Sequence, residues 1–455
     1  MPLVSGMIFY FLKFPPFPEK KKIPLINFRK PRIVTVDFLK KGGRNVRRAI
    51  QTLSLFVFVT VAAVMSYVTY LNFEIPDRFY VSDPGSFSMT QYRQIEVETG
   101  SGGEQQAGTS FSLSREAELS LFGVIPVKST YLNQVEETYV VPCGTPFGLK
   151  MLTDGVVIVG LNPVETFDGT AYPADSAGLE QGDIILSVDG EEVSSNRELT
   201  RLVRESGGEP MDFCVLRDGS ELWCSVVPVK SVGDGEYRCG IWVRDSSAGI
   251  GTVTFYDPAT GMFGGLGHAV CDVDTGEPMP LSSGEVVPVH ISGVKKGEKG
   301  APGELEGSFL SATAVGQLYL NNETGIYGVL YSSPSSAEAV PLCFRQDVTE
   351  GPAQVLATVD GGGPQLYDIV IEEVNIGDET PTKNMVIHVT DPELLDATGG
   401  IVQGMSGSPI LQNGKLAGAV THVFVNDPTR GYGIFAENML DNCTKMQNIM
   451  QNASD

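Results

Sequence analysis

Twenty-five consecutive residues, Ala49 to Phe73, carry no charge. About 20 helical residues cross a hydrocarbon core of ~30 Å, so this run is long enough to span a bilayer and to put the rest of the chain on one side or the other. Arg44, Arg47 and Arg48 precede it, and Glu74 and Asp77 follow. Positive flanks stay cytoplasmic, which predicts a cytoplasmic N-terminus and a translocated body. A cleaved signal peptide and a buried core helix are the rival readings. The run is longer than a usual signal h-region and ends in no small-x-small cleavage site, which favours an uncleaved, single-pass anchor.

The net charge of −23 hides an asymmetry: residues 1–48 carry 12 Lys and Arg against 2 Asp and Glu, and the remainder is strongly acidic. A basic leader suits an anionic leaflet, whereas an acidic body argues against nucleic acid as a partner. Phe14-Pro15-Pro16-Phe17-Pro18 and Lys20-Lys21-Lys22 show no helical or strand period, and Met7 offers a second start. The expected organisation is a basic cytoplasmic tail (1–48), a transmembrane helix (49–73), a flexible linker (74–115), a first folded domain (116–230) and a second (231–455). The linker assignment rests on Gly100 to Gly108, too polar and glycine-rich to build a core. Seven scattered cysteines contain no Cys-x-x-Cys pair, so no metal or other cofactor is expected. Cys214 and Cys224 flank a turn and read equally as a disulfide or as two free thiols.

Gly404-Met405-Ser406-Gly407-Ser408-Pro409 holds a small nucleophile between glycines, with a hairpin signal at Asn413-Gly414. A serine in such a turn can expose its hydroxyl while neighbouring N–H groups converge where an oxyanion would form. The bland reading is a glycine-rich turn into an ordinary hairpin. Gly264-Gly265-Leu266-Gly267-His268 lies upstream and supplies a histidine, the side chain suited to act as a base at neutral pH. His290, His388 and His422 read as core residues.

These two motifs together resemble the stage IV sporulation protein B family of bacterial peptidases, and the serine turn alone is similar to that of chymotrypsin-like serine peptidases. The likeness runs from about residue 50 to the end. Within it, Gly182-Asp183, the apolar run Ile184–Val188 and Asp189-Gly190 look like the signature of PDZ domains. Ser195-x-x-Glu198 opens a helix there as a capping box. The resemblance implies a mainly β protein: an N-terminal transmembrane helix, a PDZ domain, and a chymotrypsin-like double β-barrel with a C-terminal helix starting near Ala436.

By the same resemblance Ser406 is the nucleophile, His268 the base and Asp391 the orienting acid, with Asp272 or Asp368 as substitutes. A turn or helix-cap role is the competing reading of Asp391. The oxyanion hole is formed by Gly404 and Ser406, the substrate pocket involves Gly400 and Thr421, and Phe147-Gly148-Leu149-Lys150 forms the peptide-binding PDZ loop. Gly400 stands where trypsin-like enzymes carry an acid, so a charged pocket floor is not expected. The family resemblance further implies self-cleavage, and then cleavage of a membrane-bound regulator of an intramembrane protease, which activates a mother-cell sigma factor. That places the catalytic domain in the space around the forespore. Its partners would be protein substrates including itself, that regulatory complex, and the membrane through one helix. A general envelope-quality protease and an inactive PDZ scaffold are the alternatives.

Overall fold

The computed structural model describes residues 44–99, 113–311 and 313–454 and divides into two units, residues 1–64 and 65–455. Most of the basic tail, and the Gly100–Gly108 stretch, lie outside the described residues. Helix α1 (Arg44–Glu74) is long and apolar enough to cross a membrane. The hydroxyls of Thr52, Thr60 and Thr69 each donate to the carbonyl four residues back, at 2.9, 2.9 and 2.8 Å. Those bonds satisfy polar side chains that a bilayer would leave without a partner.

The region beyond α1 departs from the expected flexible linker. Strands β1 (Arg78–Val81), β2 (Ile95–Thr99), β3 (Leu113–Leu121) and β4 (Ile125–Gln134) form a sheet in the order β1-β4-β3-β2. Leu71 and Ile75 at the end of α1 are buried in one core with Phe79, Leu119, Leu121 and Val127. Asn72 Nδ2 donates to the Val127 carbonyl at 2.8 Å, and Lys128 Nζ donates to the Ile75 carbonyl at 2.6 Å. A cation on the last carbonyls of a helix favours its C-terminal end. The alternation at Phe79 and Val81 spans only four residues, too few for a strand period to stand out. The run Leu119–Val127 forms the turn of the β3–β4 hairpin.

β5 (Tyr139–Leu161) and β9 (Ile241–Tyr256) are two long antiparallel strands that pass through two domains. Their outer halves, Val157–Leu161 and Ile241–Arg244, pair with each other inside the PDZ module. There they join β6 (Ile184–Val188), β7 (Met211–Arg217), β8 (Ser220–Val226) and helix α2 (Asn196–Glu205) around a core that includes Ile158, Ile185, Leu199 and Phe213. The Gly-Asp signature has a visible cause. Asp183 is buried, takes a forked pair of bonds from Arg217 at 2.6 and 2.7 Å, and accepts from Glu180 N at 2.9 Å. Ser195 caps α2 as expected, accepting from Glu198 N at 3.3 Å. Cys214 and Cys224 are free thiols.

The inner halves, Val141–Leu152 and Ser246–Tyr256, pair in a barrel. Between the two regions Thr153, Asp154 and Gly155 bulge out of β5, which bends the strand pair. β10 (Met262–Gly265), β11 (Ser283–Lys295), β13 (Gly316–Asn322) and β14 (Gly325–Leu330) complete the barrel; the pairings run β5-β9-β10-β14-β13-β11 and return to β5. β12 (Glu304–Phe309) flanks β11. The second barrel is closed by β15 (Gly351–Ala357), β16 (Gln365–Val374), β17 (Met385–Val389), β20 (Asp427–Phe435), β19 (Lys415–Phe424) and β18 (Pro409–Gln412), in that spatial order. α3 (Pro392–Thr398) precedes the serine turn, and α4 (Ala436–Ser454) ends the chain. The PDZ module is therefore an insertion between two strands of the first barrel. A boundary near 230 divides the sequence but not the structure, because β5 serves both domains.

Candidate active site

The serine turn runs from α3 into β18, and β9 supports it from beneath. Thr252 Oγ1 donates to the Gly404 carbonyl at 2.8 Å, Thr252 N to the Ser406 carbonyl at 3.2 Å, and Thr254 Oγ1 to the Gly407 carbonyl at 2.7 Å. Threonines two apart on a strand point to the same face, so Thr252 and Thr254 act as a pair. Gly407 has a φ of +93°, and a Cβ there would lie 2.2 Å from the Thr252 carbonyl oxygen. With its carbonyls turned down onto β9, the turn leaves the N–H groups of Gly404 and Ser406 without a protein acceptor among the described residues. Ser406 Oγ donates to the Thr421 carbonyl at 2.8 Å.

His268 comes from the other barrel. Leu266 and Gly267 have φ of +64° and +71° and turn the chain sharply after β10. A Cβ on Gly267 would lie 2.9 Å from Thr421 Cγ2, so this corner packs directly on the residue whose carbonyl holds Ser406. His268 Nδ1 lies 2.8 Å from the Ala269 carbonyl. A proton on Nδ1 satisfies that carbonyl and leaves Nε2 as the acceptor, the tautomer a base requires. Burial holds the His268 imidazole below its ordinary value, and the bond to Ala269 opposes that shift. His422, expected as a core residue, instead lies exposed beside it, with ring centroids 4.9 Å apart. Desolvation, then His268 and Lys383, push His422 down to about 4. His422 is therefore neutral at pH 7.

Several expected site residues have other duties. Asp391 caps α3: its carboxylate accepts from Glu393 N at 2.9 Å, Leu394 N at 3.2 Å and Asp368 N at 3.1 Å. The cap role was the competing reading, and a helix beginning with Pro392 requires such an acceptor. Asp272 is bound by Arg244 and caps its own turn. Asp368 accepts from Gln354 Nε2 at 3.0 Å. In this structure His268 is oriented by the Ala269 carbonyl, and among the described residues no carboxylate is hydrogen-bonded to its ring. Gly400 is buried with φ +135°, and a Cβ would lie 2.2 Å from the Pro428 carbonyl oxygen, so close packing explains the glycine. Thr421 is buried, and its Oγ1 donates to the Thr382 carbonyl at 2.9 Å.

Phe147-Gly148-Leu149-Lys150 is not a PDZ loop. It lies within the first barrel, hydrogen-bonded to β9 on one edge and β11 on the other. Phe147 and Leu149 are buried, and no strand edge remains for a peptide. The PDZ cleft lies elsewhere, between α2 and Ile241–Val243 of β9. It has a volume of about 720 Å³ and is lined by Leu199, Val203, Ile241 and Val243. Ile241–Arg244 pair only with β5 among the described strands, leaving their second edge open. Cys239-Gly240-Ile241 was available as a glycine-before-strand signal for this cleft, but it falls at the boundary between the two expected domains.

Two six-stranded barrels meeting at a serine turn and a histidine corner, with a PDZ module inserted in the first, define a serine peptidase. Residues 235–440 match the family model described as SpoIVB peptidase S55, and residues 169–217 match a PDZ-domain model. The peptidase domain, residues 235–440, is the part of this chain that matches the SpoIVB peptidase S55 family. Curated relatives include the regulator of sigma-W protease RasP of Bacillus subtilis, 28% identical over 160 residues, which is 30% of this chain and 37% of the relative. The zinc metalloprotease RasP of Oceanobacillus iheyensis is 37% identical over 67 residues, covering 14% of this chain and 16% of the relative. The chain spans little more than a third of the first relative and about a sixth of the second.

Two predictions arise at the site. Because burial lowers the His268 pKa, the imidazole stays a competent base as the pH falls through the usual histidine range and is lost only when the pH drops through its own lower value. The acid limb of a kcat/KM–pH profile is therefore expected below about 6.5, the free-histidine value; a limb at or above that value would contradict the buried setting. Thr252→Val removes the hydroxyl that holds the Gly404 carbonyl. An oxyanion turn missing one support is expected to lose kcat by roughly 10- to 100-fold with KM little changed. Thr252→Ser should restore most of the rate, whereas a general loss of folding would show as a lower concentration of titratable active sites.

Proposed function

We propose that this chain is a membrane-tethered serine endopeptidase of sporulation. The observation that carries the reading is the seam between the barrels, where the His268 corner packs on Thr421 beside a serine turn whose Gly404 and Ser406 N–H groups have no acceptor among the described residues. Ser406 Oγ leaves the Thr421 carbonyl and attacks the scissile carbonyl, and its proton passes to His268 Nε2. The Gly404 and Ser406 N–H groups hold the resulting oxyanion. His268 then protonates the leaving amine, and water hydrolyses the acyl-enzyme by the same path in reverse. The PDZ cleft takes an extended peptide along the free edge of β9.

α1 anchors the chain with its N-terminus in the cytoplasm, and the catalytic domain acts outside it, in the space around the forespore. Its substrates are this chain itself and a membrane-bound regulator of an intramembrane protease, whose removal activates a sigma factor in the mother cell. The family match and the PDZ insertion support this reading over a general envelope protease.

The test uses full-length protein in vesicles. The active chain should yield a new N-terminus downstream of α1, and a Ser406→Ala chain should remain intact unless active chain is added. Identical processing of both forms in isolation would overturn the self-cleaving reading.

A further inference from the structure

The tip of the β3–β4 hairpin has no role within the fold. Val124 N donates to the Leu121 carbonyl at 3.2 Å, closing a turn whose central residues, Phe122 and Gly123, have φ of +53° and +66°. Such turns favour Asn-Gly, and a bulky aromatic side chain is an outlier in left-handed backbone. Among the described residues neither side chain of the tip is covered: Phe122 is 67% and Val124 80% exposed. A local rule broken without internal benefit marks a position selected for something outside the fold.

The surroundings indicate what that is. Phe122 N donates to the Gln94 carbonyl at 2.8 Å, and Gln94 Nε2 donates to the Tyr67 hydroxyl at 2.6 Å. Tyr67 lies on α1, seven residues before Glu74, the first charge beyond the apolar run. At 1.5 Å per residue that is about 10 Å inside the outer end of the run. Counting about 20 spanning residues from Ala49 ends near residue 69, so the hairpin tip stands level with the outer boundary of the hydrocarbon. Tyr67, Tyr70 and Phe73 are exposed at this level, and tyrosines concentrate at such interfaces. Arg93, adjacent to Gln94, is exposed and can meet lipid phosphate.

We propose that Phe122 and Val124 sit in the outer interfacial layer of the bilayer that α1 crosses, so that the extracytoplasmic head is held at two points. The proposal rests on the reading of α1 as a membrane span. The Glu96 carboxylate, which lies beside Gly123, limits the depth to the headgroup region, where it remains hydrated.

The experiment places the full-length chain carrying Trp223→Phe and Trp242→Phe in phosphatidylcholine/phosphatidylglycerol vesicles, with tryptophan introduced as Phe122→Trp or, as a control on the PDZ module, Phe167→Trp. The tryptophan at 122 should show blue-shifted emission. It should be quenched more by lipids brominated near the headgroup than by lipids brominated near the chain terminus, and the control should be unquenched. Solvent-like, unquenched emission at 122 in a chain that resists alkaline extraction would overturn the proposal while leaving the anchor intact. Quenching only by the deeply brominated lipid would overturn the assigned depth. Extraction of the chain by alkali would remove the membrane span and the proposal with it.

Discussion

Ser406→Ala is expected to lower kcat/KM for peptide-bond cleavage by at least about 10⁴-fold, the scale seen when a triad nucleophile is removed. The structure gives that substitution little else to disturb. Ser406 Oγ makes one hydrogen bond, to the Thr421 carbonyl, and the backbone bonds of the turn do not involve the hydroxyl. Unfolding free energies of the native and alanine forms should therefore agree within about 1 kcal/mol, the net contribution of one hydrogen bond. A residual rate within tenfold of native would remove Ser406 from the chemistry.

Gly407→Ala should have the opposite profile, with stability and activity lost together. The added Cβ would lie 2.2 Å from the Thr252 carbonyl oxygen and 2.5 Å from Leu266 N, at a φ of +93°. Neither neighbour is a flexible side-chain end that could move aside. Backbone strain of this kind costs about 1–3 kcal/mol even without a clash, so destabilisation above about 3 kcal/mol is expected. The same displacement shifts the N–H donors of the turn, and an activity loss on the order of 10²- to 10³-fold should accompany it. Denaturant midpoints and kcat/KM on the same preparation measure both effects. An alanine variant with native stability would mean that the turn does not press on β9 as described.

The two motifs of the seam were legible in the sequence because each depends on glycines that only a tight corner requires. The supports of the seam were not. Thr252 and Thr254 sit in a run of small and apolar residues, and nothing local shows that their hydroxyls will meet carbonyls more than 150 positions away. The PDZ signature at Gly182-Asp183 was also readable, because a buried acid with an arginine partner fixes its spacing. The binding edge was misplaced: resemblance alone points to Phe147–Lys150, but its neighbours on both sides come from distant strands. Asp391 shows the limit of reading a role from position, since the same Asp-Pro pair serves a helix cap. The small sheet after α1 was obscured by the polar stretch beside it.

The continuity of β9 has a practical meaning for cargo. Its residues from Val243, on the open edge of the PDZ cleft, to Thr252, under the serine turn, form a single strand. Nine steps of ~3.3 Å put the two ends at most about 30 Å apart. A polypeptide gripped in the cleft would reach Ser406 with a free tail of no more than about nine extended residues. Targets would then be sorted by tail length as well as by sequence, and shortening an otherwise suitable tail below that reach would leave it bound and uncut.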